Sequence, residues 1–231
     1  MYEVRPVVHD LRKYCRISYR TAYPGLFKIA KLLILSTAVH CVMVVRISQA
    51  VEKLKEKNRV IAMPFLLVSY MLRYMSMYIH KVEISPRGEI GAGFYIGHPG
   101  NIYIGPSKIG RNCSVTHNVT IGLGLTGTAG AVPTIGDRVW IGTGSVIVGD
   151  ITIGDGVTIS AGSIVTRSIP AGCLVAGNPA RVIARDYDNS GIIPYEMDLS
   201  APKIESQDRA AGCRLDGLNA SVSGGVADAR R

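Results

Sequence analysis

Between Ile84 and Val165 an aliphatic residue returns at positions 84, 90, 96, 102, 109, 115 and 121, then at 135, 141, 147, 153, 159 and 165. The last six are spaced by six residues without exception. A helix has no such period, and ordinary sandwich strands alternate by two between turn signals. A fixed six-residue repeat makes each hexad a short strand plus a corner, with its aliphatic residue aimed into an interior column shared by stacked coils. A small residue often follows, as in Ile90-Gly91, Ile109-Gly110, Ile135-Gly136, Ile141-Gly142 and Ile153-Gly154, where the backbone must turn tightly. Thirteen hexads, taken about three to a turn, amount to a little over four coils. The expected fold is mainly β: a parallel β-helix over residues 83–184, preceded by an α-helical region over 1–82. A polar C-terminal extension over 185–231 is expected to be largely disordered.

Two irregularities break the repeat. One extra residue falls between Ile102 and Ile109, and a 14-residue step separates Ile121 from Ile135. The longer step predicts that about eight residues within Leu123–Thr134 loop out of the solenoid, and insertions of this kind build functional faces.

Residues 1–82 change period. Leu26, Ile29, Ala30, Leu33 and Ile34 recur at helical spacing, Val51–Lys57 reads as a charged turn, and Pro64 interrupts or opens another helix. The longest uncharged run of this region, Leu32 to Val45, has 14 residues, short of the roughly 20 that a spanning helix needs, so it reads as buried or interfacial. Residues 1–83 hold 14 Lys and Arg against 5 Asp and Glu, which is +9; residues 84–231 hold 12 of each. The whole net charge of +9 therefore sits in the N-terminal third, as a solvated helical face or a surface for an acidic partner or the inner face of a membrane. Interleaved stacking aromatics and nucleic-acid motifs are lacking, which argues against a nucleic-acid partner. The five cysteines form no CxxC pair or zinc spacing, so neither a disulfide framework nor a metal site is expected, and a cytoplasmic, reducing setting fits. The absence of an apolar leader with a cleavage site points the same way.

Five histidines limit the general-base candidates. His40 lies in an apolar run and reads as a core or interface residue. His98 and His117 each take the third place of a hexad and are 19 residues apart, one coil plus the inserted residue, so they should stack on neighbouring coils. A corner His between Gly97 and Pro99 projects outward, and an imidazole is suited to general-base work near neutral pH.

The stretches Val82-Glu83-Ile84-Ser85-Pro86, Ile96-Gly97-His98, Val119-Thr120-Ile121-Gly122, Pro133-Thr134-Ile135-Gly136 and Ala176-Gly177-Asn178-Pro179-Ala180-Arg181 resemble the serine O-acetyltransferases and related hexapeptide-repeat acetyltransferases. The resemblance implies a left-handed β-helix, a homotrimer, and acetyl-CoA bound between subunits as co-substrate; whether two trimers pair into a dimer of trimers is left open. It assigns His98 as catalytic base and Glu83 as the carboxylate that orients it. The second half, with Thr143, Ala161, Thr166, Arg167 and Arg181, resembles the sugar-directed branch, where these positions together with Gly122 line the acetyl-CoA groove.

This sequence departs from the serine enzymes at three places. Gly97 replaces the aspartate before the base, Ala131 and Val132 replace an Arg and a His of the extruded loop, and Tyr23-Pro24 replaces an Asp-Pro. Each missing ion contact is worth about 1.5–3 kcal/mol, which disfavours serine. The expectation is an acetyl-CoA-dependent O-acetyltransferase acting on a sugar hydroxyl in surface or exopolysaccharide biosynthesis, with His117, Gly97 and Val132 on the acceptor side. The alternatives are a serine O-acetyltransferase with an altered pocket and a catalytically silent trimeric scaffold.

Overall fold

Each hexad folds as the pattern requires, because a strand alternates faces and its one central aliphatic residue turns inward. The computed structural model describes residues 5–21, 25–124 and 132–192. These lie within one unit, Met1–Met197, and the second unit, Asp198–Arg231, lies outside the described residues. The first coil is β1 (Val82–Ile84), β2 (Glu89–Ile90) and β3 (Tyr95–Ile96). The second is β4 (Ile102–Ile104), β5 (Lys108–Ile109) and β6 (Ser114–Val115), and the third is β7 (Thr120–Gly122), β8 (Thr134–Ile135) and β9 (Trp140–Ile141). The fourth is β10 (Val146–Val148), β11 (Thr152–Ile153) and β12 (Thr158–Ile159). A partial fifth holds β13 (Ile164–Val165) and β14 (Leu174–Ala176), and β15 (Arg181–Ala184) closes the stack by pairing antiparallel with β14.

Stacking the coils makes three sheets: β1-β4-β7-β10-β13, β2-β5-β8-β11 and β3-β6-β9-β12-β14-β15. All thirteen aliphatic positions of the repeat are buried. The close approach of coils explains the glycines after them: a Cβ on Gly142 would sit 2.6 Å from the Ala161 nitrogen.

The first irregularity is not where the spacing suggested. Ile104, not Ile102, stands in register with Ile84 and Ile121, while Ile102 pairs with Val82. The step from Ile96 to Ile104 is therefore eight residues and that from Ile104 to Ile109 five. The extra length lies in the corner Gly97–Asn101, and both Ile102 and Ile104 turn inward. The second irregularity falls between β7 and β8, and most of that loop, residues 125–131, lies outside the described residues.

Among the described residues four helices precede the solenoid: α1 (Arg5–Tyr19), α2 (Leu26–Leu35), α3 (Thr37–Lys57) and α4 (Arg59–Met75), the last continued by a π-helical turn, Ser76–His80. The charged stretch Val51–Lys57 is the last part of α3 rather than a turn, since Val51 is buried and Lys55 bonds Glu52 one turn earlier. Pro64 lies inside α4, which instead begins where Asn58 Oδ1 accepts the Val60 and Ile61 N–H groups. In α2 the buried residue is Leu32, and the stripe containing Leu33 and Ile34 faces outward.

The first coil has no coil beneath it, so its downward backbone groups need other partners. The helices supply them. Asp10 accepts from Gly93 N and Phe94 N at 2.7 and 2.9 Å, and Tyr14 Oη both accepts from Ile96 N and donates to Ile96 O. Arg46 donates to Ile90 O and Gly91 O, each at 2.6 Å, and its Nε to Asp10 at 2.7 Å. Gln49 reaches Gly88 O, Ser76 reaches Val82 O, and Lys13 reaches Gly93 O and, on the next coil, Asn112 O and Cys113 O. Asp10 and Arg46 are both buried, so neither can be lost without stranding the other. Asp10→Ala should therefore lower unfolding stability by about 3–5 kcal/mol in urea titration, whereas Lys55→Ala, which breaks a surface pair, should change it by less than about 1 kcal/mol.

Candidate functional site

The corner that leads from the third sheet to the first carries Gly97-His98 on coil one, Thr116-His117 on coil two, Thr143-Gly144 on coil three and Ala161-Gly162 on coil four. Backbone bonds link them in a ladder: Asn118 N to Gly100 O at 2.8 Å, Gly144 N to His117 O at 3.2 Å, and Gly162 N to Thr143 O at 2.7 Å. Asn101 and Asn118 adopt left-handed φ values of 50° and 57°, and the Asn101 amide donates to the Asn118 side chain at 3.0 Å. The lengthened corner at Gly97–Asn101 swings out, leaving His98 exposed.

His98 and His117 meet edge to face, with ring centroids 6.1 Å apart. His117 is half-buried, and its Nδ1 is buried without a hydrogen-bond partner among the described residues. Above it the Thr143 hydroxyl donates to Thr116 Oγ1 at 3.1 Å, and Thr116 to Ile141 O. The corner above the histidines is thus a shelf of small residues, Thr143 and Ala161 among them. Gly97 is not required by packing, since a Cβ there would meet nothing nearer than 3.6 Å.

Glu83 projects outward from β1, next to Tyr103 in register, and has no hydrogen-bond or ion-pair partner among the described residues. No hydrogen bond joins it to His98 within this chain. The residue is instead among those that line a pocket of about 120 Å³ between α3, α4 and β1, with Arg73, Tyr70, Tyr74 and Ser76. Arg73 Nε is buried and has no hydrogen-bond partner among the described residues. Reading the sequence alone missed Arg73, although it is the one Lys, Arg, Asp or Glu between Arg59 and Lys81. A wider cleft of about 1050 Å³ between α3 and the second sheet holds none of the expected site residues.

The remaining expected residues sit elsewhere. Gly122, Thr166 and Arg167 lie where the first sheet turns into the second, the last two exposed, and half-buried Val132 follows the undescribed part of the loop. Arg181 is exposed at the start of β15. One chain therefore splits the expected acetyl-CoA residues other than Arg181 between two corners, with the first sheet between them.

Residues 133–167 match the family model described as Bacterial transferase hexapeptide (six repeats). The serine acetyltransferase of Helicobacter pylori (strain 26695) is 29% identical over 157 residues, 68% of this chain and 86% of that protein. A probable serine acetyltransferase of rice is 41% identical over 132 residues, 55% of this chain but only 37% of that protein. A crystal structure of Neisseria gonorrhoeae serine acetyltransferase in complex with serine superposes with a TM-score of 0.62 at 26% identity, covering 79% of this chain and 69% of that one. The Brucella abortus serine acetyltransferase solved with coenzyme A has the same fold, with a TM-score of 0.65 at 24% identity over 78% of this chain and 67% of that one. The left-handed β-helix with helices before it is thus the fold, and the class of activity that these relatives support is acyl transfer. The resemblance to sugar-directed enzymes finds no support in these relatives, all of which are serine acetyltransferases.

Among the described residues no cluster of three or more His, Cys, Asp or Glu is arranged to hold a metal ion. The described cysteines are no better placed for nucleophilic catalysis. Burial pushes the Cys113 thiol up to about 11, against the pull of the Val139 backbone and of Lys13, and burial also raises Cys15 and Cys41. A thiol is reactive as thiolate, so at pH 8 these groups stay protonated and inert in the native fold. A chromogenic disulfide reagent at pH 8 should label Cys15, Cys41 and Cys113 only after denaturant is added; rapid labelling of Cys113 in the native protein would contradict this.

Proposed function

We propose that this acyltransferase moves the acetyl group of acetyl-CoA onto the hydroxyl of a small amino acid, with L-serine as the leading acceptor and His98 as the general base. The observation that carries the proposal is the pair of histidine rings, 6.1 Å apart on an outward corner, at the foot of a shelf of small residues. The shelf leaves room for a pantetheine arm to run along the coils, past Thr143 and Ala161. His98 takes the proton of the acceptor hydroxyl as its oxygen attacks the thioester carbonyl. The tetrahedral intermediate then collapses, the C–S bond breaks, and the imidazolium returns the proton to the departing thiolate, giving an acetyl ester and coenzyme A. His117 supports the pair from the coil above and lines the acceptor side.

The pocket between α4 and β1 answers the loss of the family's charged loop residues. Its 120 Å³ suits a small acceptor, Arg73 offers a cation for a carboxylate, and Glu83 an anion for an ammonium. Glu83 also stands beside Tyr103, five residues beyond His98, so an acceptor held there lies along the strand that the histidine corner feeds. A second reading, a neutral sugar hydroxyl, is favoured by Gly97 and Val132, uncharged where the serine enzymes carry ionic groups.

The split of Gly122, Thr166 and Arg167 from Thr143 and Ala161 supports a trimer, in which one subunit's shelf faces the next subunit's opposite corner. Arg167 and Arg181 then supply guanidinium groups for the nucleotide phosphates. We place the reaction in the cytoplasm, where acetyl-CoA is made.

The decisive test is thiol release from acetyl-CoA by the purified protein, with L-serine and with nucleotide-sugars as acceptors. Turnover should saturate with serine and fall about 10²–10⁴-fold in His98→Ala. Full activity in that variant refutes the mechanism, and saturation by a nucleotide-sugar alone refutes the amino-acid acceptor. Arg73→Met should raise KM for serine about tenfold or more and leave KM for acetyl-CoA unchanged, as removal of one charged contact to a single substrate requires.

A further inference from the structure

Helix α4 and its π-turn are packed inside out. The stretch Arg59–His80 contains an 18-residue window of mean hydropathy 1.5, yet only 17% of that window is buried. Its contacts with α3 are made by small residues: Ala62 and Ser69 are the buried positions of α4, and Ser69 Oγ bonds Ser48 Oγ at 3.1 Å. The large side chains turn away from the protein, Val60, Met63, Leu67, Val68 and Met71 among them, each more than half exposed. Helix α2 does the same, burying Leu32 and leaving Leu26 and Phe27 at 87% and 82% exposure. A monomeric soluble surface does not carry apolar stretches of this size without a partner.

The charge around these helices points to the partner. All of the net charge of +9 lies in residues 1–83. Lys28 and Lys31 are interleaved with the exposed apolar residues of α2, while Arg59 and Lys81 bracket α4 and the π-turn. Arg73, the one charged residue between them, turns its Nε inward to the pocket. Tyr70, Tyr74 and Tyr78 line the exposed side, and Lys81 Nζ lies 5.4 Å from the Tyr78 ring centroid. Apolar faces edged by lysine, arginine and tyrosine match the boundary between acyl chains and anionic headgroups.

We propose that α2, α4 and the π-turn seat this protein on an anionic lipid bilayer, lying in the interface plane. Spanning is disfavoured because α4 is paired with α3, whose end carries Lys53, Glu56 and Lys57 and whose Arg46 is tied to the first coil. Crossing the bilayer would draw those charges into hydrocarbon. A second copy is the weaker occupant, because its matching face brings the same positive excess against this one. Acetyl transfer would then occur at the membrane surface, near acceptors held there or delivered to it.

The test uses the full chain with vesicles containing phosphatidylglycerol and with vesicles of phosphatidylcholine alone, read by co-sedimentation and therefore independent of any turnover. Binding to the anionic vesicles should be about tenfold or more stronger than to the neutral ones and should weaken as salt is raised. The double substitution Leu67→Glu and Met71→Glu should reduce it about tenfold or more without shifting Tm, because both side chains face outward. The proposal is overturned if the wild-type chain stays in the supernatant with anionic vesicles. It is equally overturned if the double variant still binds vesicles fully but breaks up a larger soluble assembly in light scattering, which would give the face to a second copy.

Discussion

A solenoid is stable only if its first coil finds partners for the backbone groups that every later coil pairs with its neighbour. Here that need is met by side chains rather than by another strand. Asp10 takes two N–H groups, Tyr14 answers both groups of Ile96, and Arg46 covers two carbonyls while neutralising Asp10. Each partner is a polar group placed on an otherwise apolar helix face, so α1 and α3 can dock in one registration only. The helices and the coils consequently form one unit, and everything above the first coil inherits its position from this cap.

The cap also sets the height of the chemistry. Coil one begins beneath α4 at β1 and ends at the lengthened corner that carries His98, so the pocket around Arg73 and Glu83 and the exposed histidine both belong to the capped coil. The extra residues at Gly97–Asn101 are accommodated by left-handed Asn101 and by Gly100 at φ 150°, while the next corner keeps the regular length around left-handed Asn118. A bulged corner beneath a regular one is what lets His98 project while His117 is held half-buried against it.

The repeat and its buried column were legible because burial on one face imposes a strict spacing, and all thirteen aliphatic positions read from it are buried. Counting spacings could not locate the irregularity, since Ile102 and Ile104 are both inward-facing and either fits a hexad; only the pairing of Ile104 with Ile84 and Ile121 decides. The stacking of His98 on His117 was legible for the same reason as the column. Arg73 was not, because its significance depends on the packing of α4 against β1, a tertiary contact with no local signature. The helical region misled most: the stripe of Leu33 and Ile34 has the period of a buried face but is turned outward, and periodicity alone cannot say which side of an apolar helix the protein occupies.

The acceptor question shows how far a missing residue can be argued. Loss of the loop Arg and His weakens the case for serine only if their charges are not supplied from elsewhere. Arg73 and Glu83 both line one small pocket, so residues of both signs are present although the loop positions at Ala131 and Val132 are apolar. A guanidinium on a helix can replace one on a loop because recognition of a carboxylate depends on where the charge and its N–H groups are presented, not on the chain segment that carries them. The family resemblance and the altered loop are therefore compatible, provided the acceptor's charged end is read from the helical side of the site.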